Sequence, residues 1–447
     1  MDLVCAPKRI VLNGEIRVDG DKSISHRAVL FGALAEGVTE VRGFLTGEDT
    51  RHTAKIMTAL GVHITEVSSD HLRISGAGQK GLRAPNVDLD CGNAGTGMRL
   101  LAGVLAGQNF ASTLIGDHSL SSRPMRRILA PLALMGAQIQ ATPAQTAPLR
   151  IFPVAQLNAI DYSTPIASAQ VKSCVLLAGL YAQGVTTVRE PEPTRDHSER
   201  MLQAFGVNVV CDGLAASVLG GQRLSACAVS VPADPSSAAF FAVAAAISPG
   251  SNVLLTDVCI NPRRIGIFAC LSDMGAEISY ENQRTLGAEP VADIRVRGGA
   301  LRGIRVPEAR VADMIDEFPI FFIAASVAEG VSEVVGAAEL RVKESDRIGA
   351  MVRGLVSLGV HAEERADGVR IEGVGGLIGK TGLTARTNLE VPPCVIDSRG
   401  DHRIAMSFAI ASLAACVPIK ILDCANIATS FPGFTGICER LGMQIAR

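Results

Sequence analysis

Six copies of one short pattern constrain this chain more than any other feature: a helical apolar pair, a glycine, then apolar alternation. They read IMTALGVHIT from Ile56, PLALMGAQIQ from Pro131, MLQAFGVNVV from Met201, CLSDMGAEIS from Cys270, GLVSLGVHAE from Gly354 and ICERLGMQIA from Ile437. The marker glycines are Gly61, Gly136, Gly206, Gly275, Gly359 and Gly442, separated by 75, 70, 69, 84 and 83 residues. A near-constant period repeated six times is the mark of duplicated structural units. Each copy predicts a helix ended by a glycine in the left-handed conformation, followed by a strand.

A second, more apolar helix is expected ahead of each copy, at residues 24–35, 97–106, 171–182, 237–247, 318–328 and 404–415. Strands follow these helices, clearest at 38–42, 186–189, 252–256, 332–335 and 419–422. Helices so apolar belong in an inner core. Six units exceed what one hydrophobic core holds, so two domains of three units each are expected. The boundaries fall at residues 18–20 and at 231–234, where Pro232 and Pro235 lie. That gives one domain over 20–232 and a second over 1–19 with 233–447. The strand at 10–18 precedes the first unit and is expected to pair in the last half.

Composition removes several classes of function. A net charge of −2 offers no general attraction to nucleic acid or acidic membranes, so any anion site is a local cluster. No Trp and three Tyr leave little for base stacking. Eleven cysteines without C-x-x-C spacing read as reduced core thiols of a cytoplasmic protein rather than a disulfide framework or zinc site. No uninterrupted run of 18 apolar residues is present, and residues 1–9 lack the apolar core of a signal peptide. No metal, nucleic-acid or membrane partner is therefore expected.

Polar chemistry gathers at the starts of the apolar helices. The first is GDKSISHR, Gly20 to Arg27, where an extended segment and a glycine turn place Lys22 and Ser23 at a helix N-terminus. Free backbone N–H groups and the helix dipole favour an anion there, and Lys22 and Arg27 add full charges. CGNAGTGMR, from Cys91, offers small residues over which a ligand can approach the backbone. Ser121-Ser122-Arg123-Pro124, SAQVK from Ser168, and Thr194-Arg195-Asp196-His197 follow. The later units bring MIDE from Met314, RVKESDR from Arg341 and Gly400-Asp401-His402-Arg403. One such helix end is ordinarily a solvated cap; basic side chains repeated at equivalent places point to a multiply charged ligand. Asp234-Pro235-Ser236-Ser237 in the fourth unit offers only a cap. GAGQKG, from Gly76, matches a dinucleotide fingerprint, but Pro85 stands where its helix should begin, so that reading fails. His52, His63, His71 and His361 lack spaced partners and receive no role.

KSISHR, GNAGTGMR, SSRPM, SAQVK, MIDEFP, LRVKESDR, GDHRIAM and ATSFPGF together resemble the signature segments of the 5-enolpyruvylshikimate-3-phosphate synthase family. They run from Lys22 to Phe434, nearly the whole chain. The resemblance implies the α/β two-domain enolpyruvyl transferase fold, six βαβαββ-type repeats with three per domain. It implies transfer of the enolpyruvyl group of phosphoenolpyruvate to the 5-hydroxyl of shikimate 3-phosphate, with no metal or organic cofactor, by a monomer. Matched residue by residue, it implies Lys22, Ser23, Arg27, Ser168, Ala169, Gln170, Arg195, Asp316 and Lys343 for shikimate 3-phosphate. It implies Lys22, Gly95, Arg123, Gln170, Arg347 and Arg403 for phosphoenolpyruvate, with bidentate guanidinium forks suited to its charged ends. Asp316 is the implied base for the 5-hydroxyl, with Glu344 and Lys22 moving the proton at C3. The herbicide glyphosate is implied to compete at the phosphoenolpyruvate site beside Gly95.

The chain departs from the family pattern in places. Ala169 stands where many members have a second Ser, so only its backbone N–H faces the phosphate, and Arg195 compensates. Glu339 replaces a frequent Asn, and Thr429 a frequent Lys. The related transferase that acts on UDP-N-acetylglucosamine shares the fold and the first substrate. It carries a reactive Cys shortly before the equivalent Arg, whereas no Cys occurs here between Cys91 and Cys174. That absence favours the shikimate reading.

Overall fold

All six marker glycines take positive φ, between +76° and +106°, in the computed structural model, which describes residues 1–376, 378 and 392–447. Each closes its helix with the same pair of backbone hydrogen bonds. The glycine N–H bonds back three residues, as from Gly61 to Thr58 at 2.9 Å and Gly206 to Gln203 at 3.0 Å. The next N–H reaches back five residues, as from Val62 to Met57 at 3.0 Å and Met443 to Cys438 at 3.0 Å. This Schellman closure satisfies carbonyls that the helix leaves unpaired, and a side chain held left-handed there costs about 1 kcal/mol or more. The sequence pattern therefore recurs because one backbone geometry recurs.

The apolar helices are Lys22–Leu34, Gly95–Leu105, Ala169–Gly179, Pro235–Ala246, Phe318–Val327 and His402–Ala411. Every residue of Pro235–Ala246 is buried, as expected for a helix apolar all round. The third helix stops sooner than the sequence suggests, because Ala182–Gln183 turns into a short strand beside Leu157–Asn158. Of the helices that carry the marker glycines, Glu48–Ala59 buries five of its twelve residues.

Contacts divide the chain into two compact units. One comprises Gly20–Val231 with Thr285–Glu289; the other comprises Met1–Asp19, Pro232–Arg284 and Pro290–Arg447. In the first unit, helix Gly95–Leu105 packs on Lys22–Leu34 and Ala169–Gly179. Gly103 permits the closer of these contacts, since a Cβ there would lie 2.2 Å from the Cys174 carbonyl oxygen. In the second unit Pro235–Ala246, Phe318–Val327 and His402–Ala411 pack on one another. Phe318, Phe321 and Phe322 meet there with ring centroids 5.8–6.3 Å apart.

Sheets cover these helical cores. In a typical repeat, Leu89–Asp90 and Ser112–Ile115 run parallel across the apolar helix, then Leu149–Phe152 and Gln138–Gln140 add antiparallel strands. Asp161–Ser163, Val185–Arg189, Ala215–Leu219 and Val209–Asp212 repeat the order. So do Cys394–Asp397, Ile419–Leu422, Leu3–Cys5 and Ile445–Ala446. The leading strands are exchanged where the chain passes between units. Asn13–Ile16, shorter than the expected 10–18, pairs in parallel with Asn252–Cys259, while Ala228–Ser230 pairs with Ala35–Arg42. A strand does therefore precede the first helix and pair in the later half.

Two expectations need correction. The cysteines are all free, but Cys211 and Cys416 are exposed rather than core thiols. The fourth helix start is more than a cap. Asp234 does accept from the Ser236 N–H at 2.7 Å, but it also pairs with buried Arg264 at 3.0 Å, and the Ser236 hydroxyl donates to Glu317. The strand His71–Ala77 leads into a turn with no helix behind it, so the glycine motif there is not a dinucleotide loop.

Candidate functional site

In the first unit, the start of helix Lys22–Leu34 is capped by Asp21, whose carboxylate accepts from the Ile24 N–H at 2.9 Å. The cap orients the first turn, and Lys22 leans across to Asp49 of the next helix at 3.1 Å. Arg27 lies one turn on, 3% exposed. It donates to the Ser198 hydroxyl at 2.7 Å, the Ser173 hydroxyl at 3.0 Å and the Ser23 carbonyl at 2.9 Å. Burial pulls its pKa down to about 10, with Glu199 and Asp21 opposing, so the guanidinium stays charged near neutral pH. His26 between them is fully buried, its Nδ1 2.8 Å from the Thr53 hydroxyl. Burial, then Lys22 and Arg27, hold its pKa at about 3, so it is a neutral ring in a basic cluster.

The second helix start carries no side-chain cap; Gly95 opens it, buried, with its backbone facing two arginines. A Cβ at Gly95 would lie 3.0 Å from Arg99 Nη1 and 3.1 Å from Arg123 Nη1. Arg99 donates to the Gln170 side-chain oxygen at 2.8 Å, and Gln170 returns a bond to the Thr96 hydroxyl at 2.8 Å. Arg123 is held by Asn93 at 2.5 Å and Ser119 at 3.3 Å. Gly95, Gln170 and Arg123 are thus tied together through Arg99 and Asn93, neither of which was assigned a role from the sequence. Both stand inside GNAGTGMR, so that segment held the signal. The third helix start has Ser168 as cap, its hydroxyl accepting from Val171 at 3.4 Å, with Ala169 following. Arg195 is half-buried in the next loop, close enough to Arg27 to weaken its hold on a proton.

The second unit holds a different arrangement. The Arg347 guanidinium, on a side chain 1% exposed, is ringed by carboxylates. It meets Asp401 at 2.8 Å, Glu344 at 2.5 Å and Asp316 at 3.4 Å. Burial would lower its pKa, but Asp401, Glu344 and Asp316 hold it above the ordinary arginine range. Lys343 also reaches Asp316, at 3.4 Å. Arg403 donates to the Asp316 carbonyl at 3.1 Å and lies 3.7 Å from Glu317. Asp401 ties this cluster down, because one carboxylate caps its helix through the Arg403 N–H at 2.9 Å and accepts from Arg347 and Ser345. It belongs to the Gly400-Asp401-His402-Arg403 helix start, though the family resemblance implies no role for it. Thr429, in place of a frequent Lys, turns its hydroxyl to the Asn426 carbonyl at 2.7 Å.

The five residues Asp316, Lys343, Glu344, Arg347 and Arg403 therefore form one connected cluster. Lys22, Ser23, Arg27, Gly95, Arg123, Ser168, Ala169, Gln170 and Arg195 lie at three helix starts and two loops of the other unit. Among the described residues no group of three or more His, Cys, Asp or Glu is arranged to hold a metal ion. No helix among them is long and apolar enough to cross a membrane.

Comparison with known proteins gives one answer. The family model for EPSP synthase (3-phosphoshikimate 1-carboxyvinyltransferase) matches residues 7–437. The 3-phosphoshikimate 1-carboxyvinyltransferase of Xanthomonas euvesicatoria is 55% identical over 440 residues, which is 98% of this chain and 97% of the relative. That of Methylococcus capsulatus is 55% identical over 434 residues, 97% of this chain and 96% of the relative. The EPSP synthase structure from Acinetobacter baumannii matches with a TM-score of 0.87 at 47% identity, covering all of both chains. The enolpyruvyl transferase NikO from Streptomyces tendae matches with a TM-score of 0.76 at 16% identity, over 100% of this chain and 98% of the other, and so shares the fold.

Proposed function

The chain belongs to the EPSP synthase (3-phosphoshikimate 1-carboxyvinyltransferase) family, and from that premise we propose how its side chains divide the reaction. The enzyme transfers the enolpyruvyl group of phosphoenolpyruvate to the 5-hydroxyl of shikimate 3-phosphate and releases phosphate. The 5-oxygen bonds to C2 of phosphoenolpyruvate as C3 gains a proton; the C2–O bond to phosphate then breaks as C3 gives a proton up. Two anions must be brought together, and protons must move at two atoms.

Lys22, Ser23, Arg27, Ser168, Ala169, Gln170, Arg195, Asp316 and Lys343 hold shikimate 3-phosphate in this reading. Ala169 contributes its backbone N–H. Lys22, Gly95, Arg123, Gln170, Arg347 and Arg403 hold phosphoenolpyruvate. Asp316 takes the proton of the 5-hydroxyl, while Glu344 and Lys22 deliver and remove the proton at C3. The domains of this reading run over 20–232 and over 1–19 with 233–447, and the enzyme works as a cytoplasmic monomer without metal or organic cofactor.

The observation that carries the assignment is the Asp316 carboxylate, which has Lys343 and Arg347 each 3.4 Å away. Both cations meet the same oxygen, Oδ1, so their charge lies beside the carboxylate that this reading uses as the base for the hydroxyl. The test is phosphate release with each substrate alone and with both. Phosphate should appear only when both are present. Release from phosphoenolpyruvate alone, or with UDP-N-acetylglucosamine as acceptor, would overturn the reading.

A further inference from the structure

Two buried basic side chains near the third helix start are treated in opposite ways. Arg27 donates to two serine hydroxyls and a carbonyl, all neutral oxygens. Lys172, 5% exposed, has its ammonium 2.7 Å from Glu190 Oε2 and 2.7 Å from Glu199 Oε1. Burial alone would lower the ammonium's pKa, but Glu199 and Glu190 outweigh it and raise it. Its charge is thus consumed by two carboxylates, so Lys172 is not one of the cations offered to substrate. A buried ion cluster adds little net stability, which makes what its members hold the informative question.

Glu190 holds two things besides Lys172. Its other oxygen, Oε1, accepts the backbone N–H of Ser168 at 3.3 Å and the hydroxyl of Thr194 at 2.7 Å. Ser168 caps helix Ala169–Gly179, and Thr194 immediately precedes Arg195. One carboxylate, 6% exposed, therefore joins a helix start to the loop that carries an arginine. A carboxylate behind an anion site would repel the anion unless its charge were offset, and Lys172 supplies the offset. Arg27, Arg195 and Lys172 then set three cations against Glu190 and Glu199.

We propose that Glu190, held by Lys172, is a positioning residue that sets Ser168 and Arg195 for the phosphate of shikimate 3-phosphate. This rests on the reading that Ser168 and Arg195 hold that substrate. Glu190 touches no substrate itself.

Calorimetric titration of shikimate 3-phosphate into the enzyme without phosphoenolpyruvate tests it, with thermal midpoints recorded for each variant. In Glu190→Gln an amide cannot accept from all three donors and must turn its NH2 toward one of them. Affinity should fall about tenfold, the worth of one or two hydrogen bonds. Thr194→Val removes one link without changing charge and should cost about threefold. Glu199→Gln disturbs Lys172 equally but lacks contact with Ser168 and Thr194. It should stay within about twofold of wild type while losing as much thermal stability as Glu190→Gln. Equal affinity losses in the two Glu variants would reduce the cluster to a structural one and overturn the proposal. So would wild-type affinity in Thr194→Val, which decides the matter if Glu190→Gln does not fold. Wild-type enzyme that fails to bind shikimate 3-phosphate would instead sink the underlying reading, and the proposal with it.

Discussion

The helix starts of the first unit and the cluster around Arg347 in the second use charge in opposite senses. Around Lys22 the arginines lean on neutral oxygens: Arg27 on Ser173 and Ser198, Arg99 on Gln170, Arg123 on Asn93. Lys22 itself meets the Asp49 carboxylate at 3.1 Å. Around Arg347 the ratio is reversed, with Asp316, Glu344 and Asp401 on one guanidinium. In the proposed reading Asp316 and Glu344 move protons here, beside the substrate cations Lys343, Arg347 and Arg403. Both units bind substrate in that reading, and the second adds the carboxylates Asp316 and Glu344, with Lys22 of the first sharing the proton at C3.

The largest effect is expected at Lys22, which touches both substrates in the proposed reading. Lys22→Met should lower kcat/KM about 1,000-fold or more while urea unfolding shows the fold intact. Near-normal turnover would remove the first unit's leading cation.

A second prediction reads the positive field through His26. Its pKa is 6.5 when unfolded and about 3 when folded, set by burial and then by Lys22 and Arg27, with Asp21 opposing. Below pH 6.5 the unfolded chain therefore binds the proton that the native ring refuses, and stability falls as pH falls toward 3. From pH 6.5 to 5 this should cost about 2 kcal/mol, read by urea unfolding. His26→Asn should flatten the slope by that amount. An unchanged slope would show that the native ring takes up the proton and that burial beside Lys22 and Arg27 does not exclude it.

The smallest effect concerns Gly95, where a methyl group would press on Arg99 and Arg123 at 3.0 and 3.1 Å. Gly95→Ala should weaken inhibition by glyphosate about tenfold and raise the KM for phosphoenolpyruvate less, because the longer molecule has less room. Equal inhibition of both proteins at matched saturation would show that Gly95 does not face the inhibitor.

How far the sequence revealed this depends on the range of the interaction. The six glycines were legible because a Schellman closure is local: Gly206, Gln203, Val207 and Leu202 lie within six residues. Helix starts were legible for the same reason, as Asp21 capping Ile24 shows. The strand Leu3–Cys5 was not, since three residues carry no periodicity and its partners lie at Ile419–Leu422 and Ile445–Ala446. Nor was Thr285–Glu289 joining the first unit, which depends on where a long hairpin ends. In the site, the sequence showed which residues carry charge but not what neutralises it. Asp49 is 27 residues from Lys22, and Asp401 is 54 from Arg347. Lys172 and Arg27 look alike as letters and differ only in what folding brings to them.

The most direct test of the proposed roles measures binding and turnover together in Asp316→Asn and Lys22→Met. Titration with shikimate 3-phosphate gives the affinity, and phosphate release with both substrates saturating gives kcat. Asp316→Asn should lose no more than about tenfold in affinity while kcat falls about 100- to 10,000-fold. Lys22→Met should lose affinity and turnover together. Equal factors lost from binding and turnover in Asp316→Asn would make Asp316 one more ligand of the substrate and contradict its role as the base for the 5-hydroxyl.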